Sequence, residues 1–263
     1  GVDFNIALKS NGTVWSWGRN NYGQYGDGTA VSKEDLTPSQ MVKVSNVIQI
    51  ASGNIHTAVL TAEGKVWAVG SNTSSQLGFT YNSKENVYTP REMQAISEVK
   101  EITCGAYNTI MLQNNGYACG VGENGDGQLG TGGAATITSP TGIKDSKTGY
   151  SLSGIKHIVS AGRLLMATTG ENGIYVAGMA KYAQNFTENT TTRTTLYQTQ
   201  TDKKILTMAC TRDITYQTGA IIDSKGRTWT VGYDGQGQIG QGAPEHTTKP
   251  INITKSKISL AEN

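Results

Sequence analysis

The stretch GTVWSWGRNNYGQYG, Gly12 to Gly26, decides the fold because it recurs. It returns as GKVWAVGSNTSSQLG (Gly64 to Gly78), GYACGVGENGDGQLG (Gly116 to Gly130) and GRTWTVGYDGQGQIG (Gly226 to Gly240), and an eroded copy, GIYVAGMAKYAQNF, starts at Gly173. With Gly18, Gly70, Gly122, Gly178 and Gly232 as equivalents, the steps are 52, 52, 56 and 54 residues. A period of this size marks a unit that cannot bury its apolar face alone and stacks on its neighbours. Five copies use up the 263 residues and predict one domain, with repeats near 1–37, 38–90, 91–140, 141–200 and 201–250, and with 251–263 completing the first.

In the second copy, Met41 to Val44, Val47 to Ala51, Thr57 to Thr61 and Val66 to Val69 read as four short strands. The turn between the last two carries Gly in every copy (Asn11-Gly12, Glu63-Gly64, Asn115-Gly116, Asn172-Gly173, Lys225-Gly226). Asn-Gly is a strong hairpin signal because a two-residue turn wants positive φ at both central positions. No stretch sustains a 3.6-residue period, so helix is expected to be nearly absent. The last strand sets Trp15, Trp17, Trp67, Val69, Trp229 and Val231 on one face and Val14, Ser16, Val66, Ala68, Thr228 and Thr230 on the other. Bulky residues opposite small ones, with few charges, describe sheets that stack bulky face on small face. Radially repeated four-stranded sheets make a β-propeller. The expected fold is all-β, a five-bladed propeller of four-stranded antiparallel blades.

The pattern strand-Gly-x-Asn-x-x-Gly-Gln-Leu-Gly resembles the repeat of the regulator of chromosome condensation family, whose members are propellers, and the resemblance covers essentially the whole chain. Gly18, Asn20, Gly23, Gln24, Tyr25 and Gly26 carry it, as do Gly122, Asn124, Gly127, Gln128, Leu129 and Gly130. Gly70, Asn72 and Gly78 keep it with Ser75 in place of a Gly; Gly232, Asp234, Gly237 and Gly240 keep it with Asp for Asn. The fourth copy has Gln184 among Ala183, Asn185 and Phe186. Family members include exchange factors for the small GTPase Ran and, more distantly, inhibitors of beta-lactamase. Their functional residues lie in loops with no match here, so the resemblance assigns none. Familiar members have seven blades, and five is a departure. Gly1 aligns with Gly53 and Gly105, so the first blade is expected to lack its two leading strands. INITKSKISLAEN, after Lys249-Pro250, tracks Pro38 to Ala51, so a C-terminal strand is expected to join the N-terminal blade and close the ring.

Charge narrows the function. The chain has 22 basic and 20 acidic residues, a net charge of +2 and 16% charged residues, which provides no basic patch for nucleic acid or an anionic membrane. No apolar run reaches membrane-span length. The start shows neither a charged-then-apolar leader nor Met, as expected of a processed or excised segment. Low charge with abundant Asn, Thr and Tyr reads like a monomeric secreted or cell-surface repeat domain of bacterial type.

The segments that carry chemistry elsewhere read here as structure. Gly120 to Gly125 has G-x-G-x-x-G spacing, but no helix pattern follows to receive a pyrophosphate. Glu123 to Gly127 lacks the ligand spacing and distal Glu of a calcium loop and reads as a turn. Cys104 and Cys210 share one repeat position and Cys119 replaces a strand Trp; without C-x-x-C spacing they are expected to be buried, unpaired and metal-free. His157 and His246 have no partner at motif spacing, and His56 shares a strand position with Phe4 and Asn108, a core role. No catalytic residue, metal or cofactor is expected.

What varies between copies is the segment after each Gly-Gln-Leu-Gly corner: 27–38, 79–90, 131–150, 185–204 and 241–250. All five are expected on one face, where variable loops on a rigid scaffold usually bind. Tyr81, Tyr88, Tyr150, Tyr182, Phe186 and Tyr197 are the partner-binding candidates, because rigid aromatic area suits protein recognition; alternatively, each pins its own loop. The function expected is a non-catalytic protein-protein interaction module, a scaffold with a protein partner. The alternatives are a glycan-binding or enzymatic propeller using the axial funnel, or a structural spacer of a larger surface protein.

Overall fold

The computed structural model describes residues 1–32, 37–79, 84–170, 173–182, 186–188, 190–199, 203–242 and 245–254. Among these, every regular element is a strand and none is a helix. The first sheet contains β1 (Phe4–Leu8), β2 (Val14–Gly18) and β3 (Ser39–Gln40), and the second contains β4 (Val47–Ser52), β5 (His56–Thr61), β6 (Val66–Gly70) and β7 (Val87–Glu92). The third has β8 (Val99–Cys104), β9 (Asn108–Gln113), β10 (Ala118–Gly122) and β11 (Ile137–Gly142). The fourth has β12 (His157–Ala161), β13 (Leu164–Thr168), β14 (Tyr175–Gly178) and β15 (Arg193–Gln198); the fifth has β16 (Ile205–Cys210), β17 (Thr218–Asp223), β18 (Thr228–Gly232) and β19 (Thr247–Asn252). Within each sheet the strands pair antiparallel with their neighbours in sequence.

Four strands per repeat is right, but the partition differs from expectation. Met41 to Val44 is not a strand: Lys43 and Asn46 take φ of 61° and 54°, which breaks any extended run there. The outer strand of each sheet instead follows the variable segment. The sheets therefore divide at 41–46, 93–98 and 143–156, a few residues beyond 38, 91 and 141, and at 199–204, which spans 201. Among the described residues the first sheet consequently lacks one strand, the axial one beside β1, rather than two. Ile251 and Asn252 pair with Thr230 and Trp229 in the fifth sheet, not the first.

The hairpins also differ in kind. Gly12, Gly64, Gly116 and Gly226 have φ between 72° and 82°, while the residues before them do not have positive φ. The Gly12 amide donates to the Lys9 carbonyl (2.9 Å) and the Gly64 amide to the Thr61 carbonyl (3.0 Å). This is a type I turn followed by one left-handed Gly, which explains why Glu63 or Lys225 can stand where Asn was thought to be needed.

The cores lie between sheets, not within them. One cluster runs from Val14 through Val59 and Val69 to Cys119, a second from Ile110 through Leu129 to Leu196, and a third from Leu164 through Phe186 to Val231. Around the axis the turns are linked by backbone bonds: Val2 N–H to Asn54 O (3.2 Å), Asn54 N–H to Ala106 O (2.9 Å) and Ala106 N–H to Gly162 O (2.8 Å). Among the described residues the end sheets each keep an open side. Trp15 and Trp17 of β2 are half-buried beside the exposed Asn5, on the face that in the second sheet packs back on the first. In the fifth sheet Gln238 is exposed, whereas its equivalents Gln24, Gln76 and Gln128 are fully buried.

The strands run between two faces. The turn face collects the short turns after each axial strand and the Gly-Gln-Leu-Gly corners; the hairpin face collects the Gly12-type turns and the links between sheets.

Candidate functional site

The corner is built by its Asn. Buried Asn20, Asn72 and Asn124 each accept through Oδ1 the backbone N–H five residues on, at Tyr25 (3.0 Å), Leu77 (3.0 Å) and Leu129 (2.8 Å). Asp234 does the same for Ile239 (2.7 Å), so Asp replaces Asn without loss of the cap. The Gln side chain closes a second loop, accepting from Tyr22, Ser74, Asp126 and Gln236 amides. Ser75 holds φ of 61° where Gly23 has 77° and Gly127 has 70°. These polar ties fix each corner while a plug residue, Tyr25, Leu77, Leu129 or Ile239, fills the space beneath.

The fourth corner breaks the rule. Ala180 stands at the Asn position and offers no cap. Phe186 takes the place of Gly130 and keeps a φ of 61°, a backbone region that bulky residues rarely adopt. Its ring is buried in the core between the fourth and fifth sheets.

Beside this corner, on the turn face, four rings meet. Tyr233 lies 4.5 Å from Tyr216, 5.2 Å from Tyr182 and 4.6 Å from His246, and Tyr182 lies 5.0 Å from His246, all between ring centroids. These spacings suit tilted and edge-to-face aromatic pairs. Tyr216 is 49% exposed and His246 is exposed, so the cluster presents ring edges to solvent. Asp213 Oδ1 accepts from the Thr215 and Tyr216 amides and holds Tyr216 in place. His246 Nδ1 accepts from the Asp234 N–H at 3.0 Å, which puts the neutral ring's proton on Nε2. Lys181 Nζ stands 5.2 Å from the Tyr182 centroid.

Of the six aromatics singled out by sequence, Tyr182 alone joins this cluster. Tyr88 is exposed at the turn-face end of β7. Tyr150 is exposed but follows β11 and therefore emerges on the hairpin face, so the five variable segments do not all share one face. Phe186 is buried rather than offered to a partner, and Tyr197 is a half-buried residue of β15 with Arg193 stacked on its ring at 4.2 Å. Tyr81 lies outside the described residues. Sequence reasoning missed Tyr216, Tyr233 and His246. The available signal was Tyr233, an aromatic one residue after Gly232, where Arg19, Ser71 and Glu123 stand elsewhere.

At the axis His56 is fully buried; its Nε2 lies 3.1 Å from Thr109 Oγ1, which itself donates to the Gln76 carbonyl. Burial, aided by nearby Arg212, lowers its pKa to about 3. Burial pushes the Cys104 thiol up to about 12 and the Cys119 thiol likewise. An imidazole this weakly basic beside a thiol this hard to ionise makes a poor general base and a poor nucleophile. All three cysteines are free, and Cys210 is half-buried rather than buried. Glu123 and Asp126 pair with Arg163 at 3.3 and 2.9 Å, which accounts for the carboxylates of the calcium-like loop. Among the described residues no group of three or more His, Cys, Asp or Glu could hold a metal ion, and no helix is long and apolar enough to cross a membrane.

Four-stranded antiparallel sheets repeated in tandem about an axis, with sealed corners and a decorated turn face, define a β-propeller repeat protein. Residues 11–60 and 63–112 match the regulator of chromosome condensation (RCC1) repeat. The chain is 33% identical over 142 residues to the human probable E3 ubiquitin-protein ligase HERC3, covering 53% of this chain and 13% of that protein. It is 33% identical over 128 residues to the bovine secretion-regulating guanine nucleotide exchange factor, covering 47% of this chain and 27% of that protein. It thus spans a minor part of these relatives. Among solved structures, human WBSCR16 superposes with a TM-score of 0.80 at 22% identity, over 100% of this chain and 68% of that one. Prp20p of Saccharomyces cerevisiae, described with its binding to Gsp1p and histones, superposes with a TM-score of 0.76 at 22% identity, over 97% of this chain and 62% of that one. These relatives are eukaryotic, and none supports a bacterial or cell-surface assignment.

Proposed function

We propose that the chain is a non-catalytic interaction module whose turn face, centred on Tyr182, Tyr216, Tyr233 and His246, docks a protein partner. The observation that carries this reading is the cluster itself: rings from three separate segments converge where solvent can reach Tyr216 and His246. Aromatic groups on a rigid scaffold supply contact area at little entropic cost. The relatives support it in kind, since Prp20p is described as binding Gsp1p and histones. The buried, protonated Cys104 and the low pKa of His56 support a module without chemistry of its own. The test is affinity capture from the host with the Tyr216→Ala/His246→Ala variant beside wild type and a Tyr150→Ala control. A partner held by wild type and the control but lost by the double variant is expected. Equal recovery by all three would sink the reading.

We also propose that residues 255–263 supply the strand missing beside β1 and complete a five-bladed ring. Support comes from the first sheet, which among the described residues has no strand on the axial side where every other sheet has one, and from Trp15 and Trp17, which such closure would cover. Deleting 255–263 should then lower the melting temperature by several degrees; an unchanged melting curve would refute closure.

A further inference from the structure

We propose that the junction of the fourth and fifth sheets holds a binding site for a small anionic amphiphile, a monocarboxylate with an apolar body. Between these sheets lies a cavity of about 380 Å³ walled by Phe186, Ile205, Ile221, Trp229 and Pro250. The volume falls in the range of small-molecule sites. At about 30 Å³ for each non-hydrogen atom it accommodates about a dozen.

The polar groups at its edge set the sign of the ligand. Lys203 and Lys249 line it against one carboxylate, Glu188. Lys203 Nζ stands 4.5 Å from the Trp229 centroid, which holds a cation at the wall. Lys249 is exposed, and among the described residues no carboxylate pairs with it. Two cations and one anion around an apolar floor favour a ligand whose body is aliphatic and whose head is negative.

The comparable slots at other junctions differ. Under Trp67 the slot carries the same charge balance, Lys43 and Arg91 against Glu92, but its apolar wall is only Trp67, Phe79 and Pro90; the one beside Cys119 is larger, about 620 Å³, and among the described residues has no charged side chain in its lining. The fourth–fifth slot owes its apolar wall to Phe186, held at positive φ where the repeat otherwise places Gly. Backbone strain retained at a cavity wall is a mark of a functional site. The site is separate from the aromatic cluster, and its test is independent of any protein partner.

The experiment is a titration of the full ¹⁵N-labelled chain with decanoate, whose size suits the cavity, followed at the four indole N–H signals. The Trp229 signal is assigned by Trp229→Phe. A saturable shift confined to Trp229 is expected, with Lys249→Glu weakening binding by about tenfold or more and leaving the melting temperature unchanged. Decanol, without the carboxylate, should bind about tenfold more weakly than decanoate. The proposal is overturned by the absence of a saturable shift, by a parallel shift at Trp67, or by Lys249→Glu binding decanoate as wild type does.

Discussion

The junction of the second and third sheets and that of the fourth and fifth use the same strands for different ends. In the former, Gln49 exchanges two hydrogen bonds with Ile102 (2.9 and 3.0 Å), His56 meets Thr109, and Thr109 donates to the Gln76 carbonyl across the gap. Every corner group there is buried and capped. In the latter, Gly219 stands at the Thr109 position, Ala180 replaces the capping Asn, and a strained Phe fills the corner. What the eroded junction gains is a surface of rings on one side and a cavity on the other. Where the repeat is kept, the corner is sealed and has nothing to offer a ligand; binding capacity appears where the repeat is lost.

Three perturbations would break or sharpen this contrast. The largest effect is expected from Leu129→Ala, the plug of a regular corner: about 3 kcal/mol lost in urea unfolding, from transfer and cavity terms together. Phe186→Gly should cost less, about 2 kcal/mol, because relief of the positive φ offsets part of the lost ring burial. A loss as large as that of Leu129→Ala would mean the eroded corner stores no strain. The smallest effect is in pH. His56 stays neutral in the folded chain down to about pH 3 but takes up a proton near its ordinary 6.5 once unfolded. The unfolded state therefore binds more protons between these values, and stability present above pH 6.5 is lost as pH falls. His56→Asn, the residue used at position 108, should flatten that acid limb by roughly 1–2 kcal/mol between pH 7 and 4. An unchanged limb would assign it to other groups. Asp223 adds a slope lower down: although burial opposes it, hydrogen bonds from Trp229, from the Arg227 and Lys225 amides and from the Arg227 side chain hold its carboxyl well below the usual range.

Much of the fold was legible because its signals are local. A left-handed Gly twelve residues into the chain and at each recurrence fixes a hairpin, and an Asn five residues before the backbone N–H it accepts fixes a corner. The outer strands were hidden by proline. Pro90, Pro140 and Pro250 lie inside β7, β11 and β19, and a proline within an apolar run argues against a central strand. On a sheet's outer edge the missing N–H faces no neighbour, so the strand forms regardless. The candidate site was only half legible. Tyr182 stood out as a loop aromatic, but Tyr216 sits in a turn, 211–217, that takes two or three residues in the second to fourth sheets. The near-constant repeat length concealed that insertion, and no single-sequence pattern tells that three segments converge.

The backbone bonds that join Val2, Asn54, Ala106 and Gly162 around the axis have a mechanical consequence. Each adjoining pair among the first four sheets is pinned there by one backbone bond and held farther out by a shared apolar layer, so each such pair forms its own hinge. Under load such a molecule would open like a fan, one leaf at a time.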